Sequence, residues 1–184
     1  RDRSVSRGLG DVYKRQFYDI NNELDAGMSN DDGVALMRER HGDQWADMMR
    51  YYLDNFVDSL TGVVPGARVL INDLKAAGVH VWGLSNWQKD SFPIALDNFD
   101  ILRSLEDRVV SGYVGLRKPH RDIYDYALKQ FGIDASGALF VDDKAMNIVG
   151  ANEAGIRGVR FKDARALRTL LIDAGVAIPA VHEK

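Results

Sequence analysis

Two adjacent carboxylates, Asp142 and Asp143, close the short apolar run Leu139-Phe140-Val141 and lead into Lys144-Ala145-Met146-Asn147. Branched and aromatic residues suit a strand covered on both faces, and open α/β sheets gather their chemistry at the carboxyl ends of such strands. Like charges side by side raise each other's pKa unless a cation or hydrogen-bond donors intervene. Mg2+ would relieve that conflict, since it takes one or two protein carboxylates and fills its other positions with water or substrate phosphate. The same pair could instead cap the helix that follows. A second cluster, Ser85-Asn86-Trp87, follows the apolar Val79–Leu84. Its hydroxyl and carboxamide could donate to an anion or simply form a turn. A third, Gly115-Leu116-Arg117-Lys118-Pro119, holds a lysine whose backbone is pushed toward an extended form by the proline after it. Its ammonium could neutralise a phosphate and steady a carboxylate, although an exposed, solvated lysine is the commoner state.

Such clusters act together only if a frame brings several strand ends to one edge. After Gly62-Val63-Val64-Pro65-Gly66, helical and strand patterns alternate. Helices are expected near 67–77, 121–131, 145–154 and 164–174, and strands near 79–84, 139–141 and 158–161. Alternation of this kind argues for a parallel sheet with helices on both faces. Residues from Phe17 to about Leu60 are instead helical throughout. Ser29 followed by Asp32 approximates a capping box, and a second helix is expected over about 44–59. There Trp45, Met48, Met49, Tyr52, Leu53, Phe56 and Leu60 form an apolar stripe suited to packing.

Bulk properties narrow the function classes. With 184 residues and 46% hydrophobic content, the chain supports one core domain with an appended piece. It has no cysteine, which excludes disulfides, thiolate metal sites and a cysteine nucleophile, and favours a reducing, cytoplasmic setting. A net charge of -3 gives no reason to expect a nucleic-acid partner. No apolar run approaches the roughly 20 residues a membrane span requires. Residues 1–16 lack periodicity and are rich in Arg, Gly and Ser. Their close, Val12-Tyr13-Lys14-Arg15-Gln16, resembles translated adapter sequence, so this arm is expected to be non-native.

Taken in order, Leu84-Ser85-Asn86, then Arg117-Lys118-Pro119, then Val141-Asp142-Asp143 with Asn147 and Gly150-Ala151-Asn152-Glu153-Ala154-Gly155, resemble motifs two, three and four of the haloacid dehalogenase superfamily. The resemblance covers most of the chain from about Phe17. It implies an α/β, Rossmann-like core over 62–184 and a helical cap over 17–61, like those of phosphatase-like members. By the same resemblance, Ser85 with support from Asn86 would hydrogen-bond the transferring phosphoryl oxygens. Lys118 would balance charge on nucleophile and phosphoryl group, Asp143 with Asp142 would hold Mg2+, and Asn147 would orient the acidic loop. Trp87 and the cap helices are expected to contact substrate, while Trp82 and Trp45 are expected to pack. Phosphoryl transfer depends mostly on positioning and on stabilising spread negative charge, which such groups supply.

The family's first motif, a strand ending in a nucleophilic Asp, has no match. Asp11 lies in the suspect arm, and Asp19, in Phe17-Tyr18-Asp19-Ile20-Asn21, has helical surroundings. The resemblance therefore implies a Mg2+-dependent phosphatase of a small phosphorylated metabolite, working through an aspartyl-phosphate. The present chain is expected to lack the nucleophile and the first core strand, and so to be inactive. A metal-free 2-haloacid dehalogenase is the nearest alternative, disfavoured by two extra negative charges beside a carboxylate substrate. A non-catalytic module binding a phosphorylated ligand or a protein is the other.

Overall fold

Short-range apolar spacing builds the first part of the chain into three helices: α1 over residues 16–25, α2 Asn30–His41 and α3 Asp43–Asp54. The structure, a computed structural model, describes residues 16–180. Ser29 caps α2 as its sequence suggests, its Oγ accepting from the Asp32 amide at 3.1 Å and donating to the Asp32 carboxylate at 2.6 Å. Ile20, Leu24, Val34, Met37, Ala46, Met49 and Leu53 close over one another as the core of this helical unit. Each large side chain so buried contributes about 1.5–3 kcal/mol against the entropy of ordering it. The helix expected over 44–59 breaks at Asn55, whose backbone leaves the helical region (φ -109°, ψ 28°) and whose side-chain amide donates to Tyr51 O at 2.8 Å. That local hydrogen bond competes with helix continuation, and a 3-10 turn, Phe56–Ser59, follows.

The rest alternates: α4 Ala67–Ala76, β1 Gly83–Ser85, α5 Phe92–Asn98, α6 Asp100–Arg103, β2 Arg108–Val110, α7 Ser111–Val114, α8 Arg121–Phe131, β3 Leu139–Asp142, α9 Ala145–Glu153, β4 Arg157–Arg160 and α10 Ala164–Asp173. β1 pairs with β2 in parallel, Leu84 opposite Val109, and β3 pairs with β4 in parallel, Val141 opposite Val159. This is an α/β fold of the Rossmann-like kind with small parallel sheets. Among the described residues the ladders are separate, two strands each. Strands in such a position are normally covered on both faces, yet β1 is half-buried throughout and Leu139 at the start of β3 is exposed. The expected strand over 79–84 is also displaced to 83–85, where β2 supplies the ladder.

Two apolar clusters support the alternating part. Val109, Ile123, Tyr124, Ala127, Ala151, Ala154 and Ile156 fill the space around α8 and α9, and Leu70, Leu74, Ala164, Leu171 and Ile178 join α4 to α10. Gly150 lets α9 approach the segment before α8, because a Cβ there would lie 2.1 Å from Pro119 O. Among the described residues, no helix is long and apolar enough to cross a membrane.

Candidate active site

The carboxyl end of β1 carries Ser85 and then Asn86, whose side chain grips the backbone of Lys118 at two points. Asn86 Nδ2 donates to Lys118 O at 2.9 Å, and the Lys118 amide donates to Asn86 Oδ1 at 2.8 Å. A side-chain amide carries both a donor and an acceptor, so one residue fixes the loop after β1 to the loop before α8. Lys118 is thereby aimed inward. Its Nζ donates to Leu84 O at 2.7 Å and to Asp142 Oδ2 at 2.7 Å, and sits 5.4 Å from the Phe140 ring centroid. Both partners of the ion pair are buried, with 8% of each side chain exposed. The ammonium therefore links the edge of one ladder to the end of the other.

Asp142, the last residue of β3, is held from its other side as well. Its Oδ1 accepts from the Lys144 amide at 2.8 Å and from Asn147 Nδ2 at 2.9 Å. Burial pushes the Asp142 carboxyl upward, but the hydrogen bonds from Lys118, Lys144 and Asn147 prevail and hold it below the usual carboxylate range. For Lys118 burial prevails, lowering its pKa despite the bond from Asp142. Asn147 is buried and is itself fixed by Tyr124, whose hydroxyl donates to Asn147 O at 2.7 Å. The hydroxyl of Tyr124 is pushed to a higher pKa by burial and by the nearby Asp142 charge, so it remains a donor.

Asp143 differs from its neighbour. It is exposed, and its carboxylate accepts no hydrogen bond among the described residues; only its backbone oxygen is used, by Arg160 Nε at 3.2 Å. No group of three or more His, Asp or Glu residues gathers among the described residues in a position to hold a metal. The donor set thus offers one uncommitted hard carboxylate at Asp143 beside the ordered oxygens of Asp142. That suits Mg2+, which takes few protein ligands, better than a metal needing a full protein cage.

Structure brings Ser85, Asn86, Lys118, Asp142, Asp143 and Asn147 to one end of the two ladders. Ser85 Oγ makes only a long contact, 3.5 Å, to Asn86 O. Trp87 packs with its ring centroid 6.1 Å from Phe56 and 5.8 Å from Phe92, and its indole N–H donates to Ser91 Oγ at 3.2 Å. Trp45 packs on Phe17, and Trp82 stacks between His80 and Phe131, both as their sequence context suggests. Asp19 lies exposed on α1 rather than at a strand end, while Asp11 falls outside the described residues.

Residues without motif character fasten the helical unit to this site. Gln88 Nε2 donates to Asn21 Oδ1 at 2.6 Å, and the Asn30 amide donates to Asp90 Oδ2 at 2.8 Å. Burial of Gln88 has no signature in sequence, since a glutamine after a strand is ordinarily exposed.

The chain is similar to several known proteins. A family profile described as haloacid dehalogenase-like hydrolase matches residues 10–161. The chain is 32% identical over 111 residues to a sesquiterpene phosphatase, astK, of Aspergillus oryzae, covering 55% of this chain and 53% of that protein. It is 33% identical over 106 residues to a glyceraldehyde 3-phosphate phosphatase of Pyrococcus abyssi, covering 54% and 42%. It thus spans about half the length of these relatives, or less. Among solved structures, a HAD family enzyme of Bacteroides thetaiotaomicron in complex with magnesium and inorganic phosphate superposes with a TM-score of 0.62 at 20% identity, over 82% of this chain and 85% of that one.

Proposed function

We propose, because this chain belongs to the haloacid dehalogenase-like hydrolase family, that its site serves Mg2+-dependent hydrolysis of a small phosphorylated metabolite. The observation that carries this reading is the placement of Lys118. An ammonium has three donors; two are spent on Leu84 O and Asp142 Oδ2, and the third is left for an oxygen arriving beside Ser85. Ser85 supplies a hydroxyl whose contact to Asn86 O is too long to hold it. Asn86 acts through Lys118, since its carboxamide is taken up by the Lys118 backbone. Asp143 with Asp142 would hold Mg2+, which when bound supplies charge against the phosphoryl oxygens. Asn147 keeps Asp142 facing Lys118.

In this reading the attacking group is an aspartate of the family's first motif, carried on a strand between the two ladders and forming an aspartyl-phosphate. Neither Asp142, committed to Lys118, nor Asp19, on a helix, fills that role. Among the described residues the site then has no nucleophile of its own. The two neighbouring activities differ in one respect: a dehalogenase acting on a carboxylate substrate would gain nothing from the free charge of Asp143.

Titration calorimetry with Mg2+ and inorganic phosphate tests the reading. The wild-type chain should bind the two together, and Asp143→Asn should weaken Mg2+ uptake by about tenfold or more. A protein carrying a complete first motif should release phosphate from esters only when Mg2+ is present. Magnesium-independent halide release from such a protein would replace the phosphatase reading with the dehalogenase one.

A further inference from the structure

Tyr124 stands behind both partners of the buried ion pair. It lies in the first turn of α8 and is fully buried. Its ring meets Phe140 edge to face at a centroid distance of 5.3 Å, and Phe140 in turn underlies the Lys118 ammonium at 5.4 Å. On another side the ring closes against α9, where a Cβ on Gly150 would lie 3.1 Å from Tyr124 Cε2. These contacts need only an aromatic ring. Phenylalanine would make them without burying a hydroxyl, whose desolvation costs free energy unless it is hydrogen-bonded. The hydroxyl goes to the Asn147 carbonyl, 2.7 Å away, in the first turn of α9. From the same residue Nδ2 reaches Asp142 Oδ1 at 2.9 Å, and Asp142 Oδ2 holds Lys118 Nζ at 2.7 Å. Asparagine is a weak helix former whose side chain competes with the backbone around it, so the direction in which Asn147 projects depends on how firmly that turn is fixed.

We propose that Tyr124 is a positioning residue of the phosphoryl site. Its hydroxyl fixes the first turn of α9 so that Asn147 meets Asp142, and Asp142 in turn sets where the Lys118 ammonium stands. The inference rests on the proposed phosphoryl site and adds a residue of α8 to the set that shapes it. Tyr124 touches no substrate oxygen in this role, since its hydroxyl is spent on Asn147 O. Groups behind a ligand-holding side chain govern affinity by keeping it in one orientation, and a pair already ordered loses less freedom when phosphate and Mg2+ arrive. The ring serves the fold, and the hydroxyl serves ligand uptake.

The test compares Tyr124→Phe, which keeps the ring and removes the oxygen, with Ile123→Val, which loosens the same buried cluster and leaves the hydrogen bonds intact. Calorimetry measures the binding of Mg2+ and inorganic phosphate together, and NMR measures the exchange of the Asn147 side-chain amide protons without ligand. Tyr124→Phe should weaken ligand binding about fivefold or more and speed that exchange by a similar factor, the size that one hydrogen bond supports. Ile123→Val should lower the urea midpoint while leaving both readouts within about twofold of wild type. Asn147→Ala should weaken binding by itself, and adding Tyr124→Phe to it should cost nothing further, because the hydroxyl acts through Asn147. Unchanged binding or unchanged exchange in Tyr124→Phe, an equal loss in Ile123→Val, or additive losses in the double variant overturn the role of Tyr124 and leave the phosphoryl site standing. Failure of the wild-type chain to take up Mg2+ and phosphate overturns the phosphoryl site and this inference together.

Discussion

The end of β3 and the end of α1 each present a partly buried aspartate with basic residues nearby, yet the two carboxyls shift in opposite directions. Asp142 is held down because three donors, from Lys118, Lys144 and Asn147, point at its oxygens. Asp25 is pushed up by burial, with no donor among the described residues to offset it, although Lys144 and Arg117 lower it in part. Neighbouring charge alone does not settle ionisation in a half-buried site; directed hydrogen bonds do. The strand end is a finished electrostatic structure, while the end of α1 is an unfinished one.

The largest way to break that contrast is Lys118→Met. It leaves Asp142 buried without its cation and should cost about 3–5 kcal/mol in urea unfolding, with the Asp142 carboxyl moving back upward. Gly150→Ala attacks the same region through packing rather than charge. Its added methyl would meet Pro119 O, and about 1–3 kcal/mol should be lost in the same assay. Asp25→Asn should act in the other direction. The native state binds a proton at Asp25 between the ordinary value of 3.8 and about 6, where the unfolded chain does not. Its contribution to stability is therefore present at low pH and fades as pH rises through that window. The variant should be more stable than wild type at pH 7 by about 1–2 kcal/mol, with a flatter stability profile between pH 4 and 6. Asp142 has the opposite sign: its contribution is present above the unfolded carboxylate range and fades as pH falls below it. Smallest of all, Asp143→Asn should change stability by no more than about 0.5 kcal/mol, because the side chain is exposed and unbonded. Under the proposed function its effect falls on Mg2+ uptake instead.

Periodicity made the long elements readable. The helix over 121–131 is found at those residues, and those near 67, 145 and 164 differ only at their last residue. Short elements were opaque. β2 is three residues long, begins with Arg108 and takes its shape from pairing with Gly83–Ser85, a partner distant in sequence. α5 holds seven residues around Pro93, too few for a periodic signal. At the site, the motif residues converge as their spacing implies, but the division of labour between Asp142 and Asp143 was not legible. What separates them is that Asp142 closes β3 facing Lys118, while Asp143 falls in the bend after the strand and is exposed. Asp25 escaped notice for a related reason: a single acid at a helix end has no motif, and what sets it apart is the absence of donors around it.

The file of aromatic rings that leaves the first helical unit has a use of its own. Trp45, Phe17, Tyr52, Phe56, Trp87, Phe92 and Tyr113 touch in succession, edge to face, at centroid spacings of 5.8–6.4 Å. An indole, Trp45, stands at its helical end and another, Trp87, in the loop after Ser85. Intrinsic fluorescence therefore reads the two halves of the molecule through different emitters: lifting the helices would strip Phe56 from Trp87 while leaving Trp45 among its own neighbours.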